Sequence, residues 1–209
     1  MKENITNLNT IGLSSKNLPQ DINICLHNHA TNYLFEHFYS SKRIFSNVLG
    51  QMEVDFISIA FINKFGTIFF LSSCPSIEQN LIERKIWQYD DSYSNEFIYQ
   101  NTAKMWSELY HPNYSKLIHQ YKQNELGIVS GISIPYSYME YNIVFSFGFK
   151  NNFNIQSSEQ INKLKSIGCF CLREIMDYIP MLDKTKNVKP QKTKLHLIYT
   201  KENIEHVIR

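Results

Sequence analysis

Residues 127–150 constrain the fold most, because apolar and small polar residues alternate there on both sides of a short polar turn. This pattern predicts two adjacent β-strands at the centre of a sheet. Along the second strand, one face would carry the rings of Phe145, Phe147 and Phe149. The other face would carry the smaller residues Val144, Ser146 and Gly148. Small residues on a sheet face leave room for a packed helix or for a hollow that holds a ligand.

The rest of the chain supplies a second hairpin and several helices. Residues 55–63 and 67–73 are rich in β-branched and aromatic residues, and the segment between them has turn chemistry, which predicts an antiparallel hairpin. Helical spacing predicts helices over residues 21–39, 43–49, 76–86, 114–126 and 157–179, and Ser157 with Gln160 matches a capping box. The element order predicts an α/β (α+β) fold, with an antiparallel central sheet of about five strands and helices on both faces.

The length and the composition predict one domain with appended ends. The 209 residues can bury a core of ordinary size, which we place in residues 21–180. Residues 1–20 are polar and are interpreted as a flexible N-terminal arm. Residues 181–209 combine a lysine-rich linker with a possible strand at 195–200 and a short terminal helix.

Charge and hydropathy argue against two classes of protein. The formal net charge of +2 is too small for a general nucleic-acid-binding protein. No apolar run approaches the ~20 residues that cross a bilayer, and residues 1–19 lack the apolar core of a signal peptide. We therefore expect a soluble, cytoplasmic protein with no membrane span.

The sequence contains no motif of nucleophile elbow, zinc protease, phosphate loop or dinucleotide type, so we expect no enzymatic activity and no cofactor. A nucleophilic cysteine paired with a distant histidine would leave no such motif. Cys25, His29 and His37 could share a helix face that suits zinc. Without a second cluster, ordinary side chains of an amphipathic helix are the simpler interpretation, and we expect no metal site.

Three segments carry a family resemblance. They are the Asn63-Lys64-Phe65-Gly66-Thr67 turn followed by Leu71-Ser72-Ser73, the Met105-Trp106-Ser107 segment, and the strand at residues 127–135. Together with the element order over residues 21–179, they resemble the ligand-binding module of LuxR-type quorum-sensing regulators, which is built like GAF and PAS sensor domains. The resemblance implies a GAF/PAS-like α-β-α sandwich, a bacterial role in signalling and transcription regulation, and a dimer. It also implies that Trp106 is a tryptophan on the pocket side.

The chain departs from the family pattern in two respects. The family places an Asp before a Pro to bind the amide of an acyl-homoserine lactone, and a Tyr four residues after an upstream Trp. Here Trp87 is followed at that spacing by Asp91, and no Asp-Pro pair occurs, although Asp90 and Asp91 are nearby carboxylates. The stretch after Pro180 is also short for a helix-turn-helix module, so we expect no direct DNA binding by the chain as given. Either the sequence is part of a longer protein, or the natural protein senses without reading DNA itself.

The candidate ligand pocket combines aromatic walls with a few hydrogen-bonding groups, which suits a small amphipathic molecule. We place it between the sheet and the irregular residues 89–110, a segment rich in aromatics and acids. The candidate ligand-binding residues are Trp87, Tyr89, Asp90, Asp91, Tyr99 and Trp106, with Ser133 and Ser146 from the sheet. The alternative is that the rings are core and the acids are solvated.

Two functional hypotheses follow. The first is a non-enzymatic, LuxR-like signal-sensing regulatory domain that binds a small amphipathic molecule between its sheet and its helical cover. The second is a protein–protein interaction module or bacterial effector that kept the sensor fold but lost the ligand pocket. Both predict a homodimer or a protein partner.

Overall fold

The computed structural model describes residues 22–153 and 157–178, which form a six-stranded sheet with helices packed against it. The strands are β1 (Cys25–Leu26), β2 (Phe56–Ile62), β3 (Thr67–Ser72), β4 (Lys104–Met105), β5 (Ser130–Tyr138) and β6 (Tyr141–Phe149). The helices are α1 (Ala30–Glu36), α2 (Phe38–Ser46), α3 (Pro75–Glu83), α4 (Asn95–Gln100), α5 (Ser115–Lys122) and α6 (Ser158–Tyr178).

The strands lie in the order β1-β3-β2-β6-β5-β4, and each pairing is antiparallel except the parallel contact of β1 with β3. The predicted mixed fold with an antiparallel sheet is therefore confirmed, and both predicted hairpins are present. The sheet has six strands where the sequence predicted about five. The difference lies in β1 and β4, which have two residues each and are too short to show an alternating pattern.

One face of the sheet is apolar and aromatic. Residues that pair directly across antiparallel strands point to the same face, so Phe145 shares its face with Ile59 and Ile134, its partners on β2 and β5. Helix α6 covers this face at Gly168, where an added Cβ would lie 2.6 Å from the Phe145 ring. The predicted wall of rings is thus a core face that is closed by a helix.

The opposite face carries one serine on each of four adjacent strands. Ser133 pairs with Ser146, Ser146 with Ser58, and Ser58 with Ser72. All four are buried, and we call them the serine row. Helices α3 and α5 pack on this side, in an apolar cluster that includes Phe56, Ile77, Leu81, Trp106 and Ile118.

Residues 89–110, here called the cover segment, form short elements instead of one long helix. Three 3-10 turns at Trp87–Tyr89, Asp91–Tyr93 and Trp106–Glu108 surround α4 and β4. The two ends of the segment are joined, because the Asp91 amide donates to the Leu109 carbonyl at 2.7 Å. The irregularity that the sequence showed here therefore reflects many short turns on a tied segment.

The helix predicted over residues 21–39 is wrong in its first half. Asp21 lies outside the described residues, and the chain from Ile22 runs extended into β1, where the Cys25 amide donates to the Gly66 carbonyl at 2.9 Å. The helix begins only at Ala30 and is interrupted at His37, so α1 and α2 are separate. The helical spacing of the apolar residues was coincidental, and strand pairing with β3 determines the backbone. The helix face proposed for Cys25, His29 and His37 is not formed.

One further local prediction, at the start of α6, is confirmed. The Ser157 amide donates to the Gln160 side-chain oxygen at 3.2 Å, and the Gln160 amide donates to the Ser157 hydroxyl at 3.3 Å, which is the capping box expected before α6. Within residues 22–153 and 157–178, no helix is long and apolar enough to span a bilayer, and no group of side chains could hold a metal ion. The arm predicted at 1–20 and the linker, strand and helix predicted within 181–209 lie outside the described residues, so these domain boundaries stay predictions.

The Gly168 contact leads to a stability prediction. Replacing Gly by Ala usually stabilises a helix by about 1 kcal/mol, yet the methyl group of Ala at position 168 would overlap the buried Phe145 ring. We expect Gly168→Ala to lower the free energy of unfolding by about 1–2 kcal/mol in urea titrations. Asn162→Ala, at an exposed position of the same helix, is the matched control and should cost nothing. A Gly168→Ala protein as stable as wild type would contradict this packing of α6.

Candidate functional site

Ser133 connects the sheet to the cover segment. Its hydroxyl lies 3.0 Å from the Ser92 hydroxyl and 3.2 Å from the Ser146 hydroxyl, and it accepts a hydrogen bond from the Trp106 indole nitrogen at 3.2 Å. All of these groups are buried. A buried indole N–H needs an acceptor, and Ser133 on β5 supplies it.

Trp106 fills the small-residue face of the central hairpin. An added Cβ at Gly131 would overlap the indole ring, and one at Gly148 would lie 3.1 Å from it. The two glycines therefore form a floor for the ring, which is 1% exposed. Of the two uses proposed for this face, a packed helix or a hollow, the structure favours the first: the Trp106 side chain lies on the glycines, and α3 and α5 pack on the same side.

A buried ion pair lies next to Trp106. The Lys122 ammonium, on the last residue of α5, contacts the Asp90 carboxylate, and the two side chains are 1% and 0% exposed. The other Asp90 oxygen accepts the Ser92 amide at 3.1 Å, so Asp90 also caps the 3-10 turn at 91–93. The pair thus joins the cover segment to α5 through the interior, where removing one partner is far more costly than at the surface.

Three aromatic rings surround the Lys122 ammonium. Its nitrogen lies 4.2 Å from the centre of the Trp106 ring, 5.4 Å from that of Tyr110 and 5.9 Å from that of Tyr93. Distances below about 6 Å allow cation–π attraction, which is stronger at desolvated sites. The Tyr110 hydroxyl donates to the Gln123 side-chain oxygen at 3.1 Å, which fixes this ring relative to the end of α5.

Glu78 on α3 is a second carboxyl group near the ion pair. Burial raises the pKa of Glu78 and nearby Asp90 raises it further, whereas Ser58 and the Lys122 charge oppose the rise. The Ser58 hydroxyl lies beside this carboxyl but makes no hydrogen bond of ordinary geometry. Burial also raises the pKa values of Tyr93 and Tyr110 well above that of a free phenol, so both rings are neutral. We call the whole set the interior cluster: Glu78, Asp90, Ser92, Tyr93, Trp106, Tyr110, Lys122, Ser133 and Ser146.

The structure brings together half of the residues predicted for the pocket: Asp90, Trp106, Ser133 and Ser146. The other four lie elsewhere. Trp87 and the exposed Asp91 line an open cleft of about 480 Å³, and Asp90 also forms part of its lining. Tyr89 stacks on Tyr114 with ring centres 3.5 Å apart, and Tyr99 lines a separate cleft of about 420 Å³. Ligand binding by any of the eight remains a prediction.

The sequence analysis missed five members of the interior cluster as site residues: Glu78, Ser92, Tyr93, Tyr110 and Lys122. Lys122 follows the buried Ile118 by four residues, so the helix predicted at 114–126 already placed it on the inward face. Glu78 likewise follows Ile77 and precedes Leu81 on the inner side of α3. These were detectable signals, namely charged residues at core positions of amphipathic helices.

A surface cleft of about 680 Å³ lies beside the cluster, and Trp106, Tyr110, Gln123 and Gly131 form part of its lining. The interior itself is occupied, because Trp106, Lys122 and Glu78 are each no more than 2% exposed and in mutual proximity. In this conformation the space between the sheet and the cover segment is therefore filled by the protein's own side chains.

No protein-family model and no curated protein matches the sequence of this chain. Among solved structures, it is similar to SdiA from Escherichia coli, with a TM-score of 0.52 and 15% identity over 70% of this chain and 66% of that chain. SdiA in complex with octanoyl-rac-glycerol matches with a TM-score of 0.53 and 14% identity over 70% and 65%. The chain thus spans slightly less than two thirds of each SdiA chain.

A third similar structure is CepR2 from Burkholderia cenocepacia, described as an N-acylhomoserine lactone dependent LuxR family transcription factor. It matches with a TM-score of 0.45 and 9% identity over 72% of this chain and 96% of that chain. The SdiA comparisons show the fold: over 70% of this chain, the domain shares the fold of SdiA.

The contact between Gly131 and Trp106 can be tested by adding one methyl group. We expect Gly131→Ala to lower the free energy of unfolding by about 1–3 kcal/mol, because the indole ring must leave its floor on β5. Tryptophan fluorescence should shift to the red as Trp106 loses its buried position. In a Trp106→Phe background the smaller ring leaves room, so the same methyl group should cost less. Equal costs in both backgrounds would show that the two residues are not coupled.

The burial of Glu78 predicts a pH dependence of stability. Because the folded-state pKa of Glu78 is raised above its ordinary value of 4.5, the protonated form stabilises the fold at low pH, and this contribution is lost as pH rises through the folded pKa. Wild type should therefore lose free energy of unfolding as pH rises from 4.5 to the folded-state pKa, and Glu78→Gln should flatten this decline. Glu36→Gln, at an exposed position, should leave the profile unchanged. Parallel profiles for Glu78→Gln and wild type would contradict the prediction.

Proposed function

We propose that the chain is a non-enzymatic, signal-sensing regulatory domain of the LuxR type, and that the interior cluster is its signal site. The observation that carries the proposal is the hydrogen-bond connection from the cover segment to the sheet, through Ser92, Trp106 and Ser133. A molecule that binds at this connection changes how firmly the cover segment is held. Binding can thereby alter the surface that the domain offers to a second copy or to another protein.

Two facts support a sensing role. The fold is shared with SdiA, one of whose structures holds octanoyl-rac-glycerol. The interior cluster also concentrates polar groups where a simple core would be apolar, and buried polar networks of this kind are common at binding sites. The hydroxyl groups of the three cluster serines contact each other and the Trp106 indole.

In the described conformation, a ligand could enter the cluster only if Lys122 or Trp106 moved. The 680 Å³ cleft is lined in part by Trp106 and Gln123, which makes it a route to the cluster. We therefore propose that the described state is a closed state, and that ligand entry loosens the end of α5.

A second candidate function is a protein-interaction module that has kept this fold without a ligand. The filled interior favours it, since Lys122 and Trp106 occupy the space between the sheet and the cover segment. Under this proposal the ion pair is a fixed structural element, and the domain acts through a homodimer or another protein partner.

Ligand binding by the wild-type chain separates the two candidates. We expect octanoyl-rac-glycerol or a medium-chain N-acylhomoserine lactone, chosen as amphipathic probes, to raise the melting temperature with a saturable concentration dependence. Mass spectrometry of the purified chain under native conditions should also detect a co-purified small molecule. Trp106→Phe should weaken the response, whereas Tyr99→Ala, in the separate 420 Å³ cleft, should preserve it.

The reverse pattern, a response lost in Tyr99→Ala and kept in Trp106→Phe, would place the ligand in the other cleft and overturn the proposed site. An unchanged melting temperature for every probe, with no co-purified molecule, would favour the interaction module.

A further inference from the structure

The surroundings of the Lys122 ammonium have the composition of a binding site for a cation. Three aromatic rings lie within 5.9 Å of the nitrogen, and the Asp90 carboxylate is in direct contact with it. Glu78 lies near enough to interact with the same charge. Aromatic cages that include carboxylates are used by proteins to bind ammonium groups, because the ring faces and the carboxylates both attract positive charge.

The cage is formed by parts of the chain that are far apart in sequence. Trp106, Tyr93 and Asp90 come from the cover segment and Glu78 comes from α3, whereas Lys122 enters from α5. Two of the cage groups also have a contact that does not involve Lys122: Trp106 donates to Ser133, and Asp90 accepts the Ser92 amide. These contacts help to hold Trp106 and Asp90 in position when the ammonium is replaced.

We propose that the interior site is a cation cage which Lys122 occupies as a tethered ligand, and that small molecules able to take its place carry a primary ammonium group. The inference rests on the proposed function, since it names the ligand class of the same site. A neutral head group in place of Lys122 would leave the Asp90 carboxylate buried and unpaired, which is strongly disfavoured. An alkylammonium group would restore both the ion pair and the contacts with the rings.

Displacement of Lys122 would also have a defined consequence for the fold. Lys122 ends α5, and the next residue, Gln123, accepts a hydrogen bond from the Tyr110 hydroxyl and donates one to the Val129 carbonyl at 3.2 Å. The Ile128 amide also donates to the Gln123 carbonyl at 2.9 Å. Withdrawal of Lys122 therefore acts on the connection that leads into β5.

Truncation of Lys122 provides the test. Lys122→Ala removes three methylene groups and the ammonium, a shape that n-propylammonium matches. We expect the variant to have a lower melting temperature than wild type, and n-propylammonium chloride to recover a large part of that loss with a saturable dose dependence. The same concentrations of 1-propanol, the neutral isostere, should recover little, and sodium chloride of equal ionic strength should recover none.

Three variants act as controls. Lys122→Met fills the space of the Lys122 side chain with an uncharged one, so n-propylammonium should not raise the melting temperature of this variant. Lys116→Ala removes an exposed lysine from the same helix and should give no amine response. In Lys122→Ala combined with Asp90→Asn, the preference for n-propylammonium over 1-propanol should disappear. If Lys122→Ala alone does not fold, its refolding yield in n-propylammonium against 1-propanol gives the same comparison.

Equal recovery by n-propylammonium and 1-propanol would overturn the cation cage, as would an amine response that persists in Lys122→Met. These outcomes are separable from failure of the proposed function. A wild-type chain that binds a neutral amphipathic probe, with no amine recovery in Lys122→Ala, keeps the sensing role and rejects the cage. Amine recovery in Lys122→Ala, with no ligand for wild type, keeps the cage and makes Lys122 its permanent occupant.

Discussion

The buried pair of Lys122 and Asp90 is the interaction on which the arrangement of this domain most depends. Two charges that are 1% and 0% exposed are stabilised only if their geometry is maintained, because either one alone would be a buried unpaired charge. The pair therefore imposes a condition on three segments at once: α5 must end at residue 122, the cover segment must turn at residue 90, and Trp106 must lie beside the ammonium. Such a pair adds little net stability compared with an apolar replacement, and its main effect is to select one arrangement of the cover segment.

The serine row explains how a sheet core can accept such a cluster. A sheet face of Val and Ile would offer no acceptor to the Trp106 indole or to the hydroxyl of Ser92, whereas Ser133 serves both. Gly131 and Gly148 have no side chain, which leaves the space that the Trp106 indole ring occupies. Small and polar residues on the central hairpin are thus required by one large side chain from a distant segment, which is why the two faces of β6 differ so strongly in composition.

The elements that were predictable from the sequence are those with a long, regular pattern. The alternation in β5 and β6 identified the hairpin and its two faces, and the capping box identified the start of α6. Where two patterns compete locally, the sequence was insufficient: Ile22 and Cys25 fit a helical stripe, but an edge pairing with β3 determined their backbone. For the site, Trp106 and the two strand serines, Ser133 and Ser146, were predictable, whereas Ser92, Tyr93 and Tyr110 lie in the irregular cover segment and were not. The choice between Asp90 and Asp91 was not, since it depends on which residue precedes a 3-10 turn. Lys122 was missed because lysine is rarely buried, although its position four residues after Ile118 indicated the inward face.

The similarity to SdiA at 15% identity concerns the path of the backbone, and a fold of this kind can hold different chemistries. What distinguishes this chain is the chemistry at the centre of the fold. A site for a neutral ligand would have hydrogen-bond donors and acceptors and no buried charge that needs a partner. Here the buried Asp90 carboxylate requires a cation, which Lys122 of α5 supplies. Any molecule that enters must either leave that pair intact or replace its positive member. If the interior is the signal site that we propose, the charge of the ligand, more than its length or its apolar area, is the property that it would discriminate.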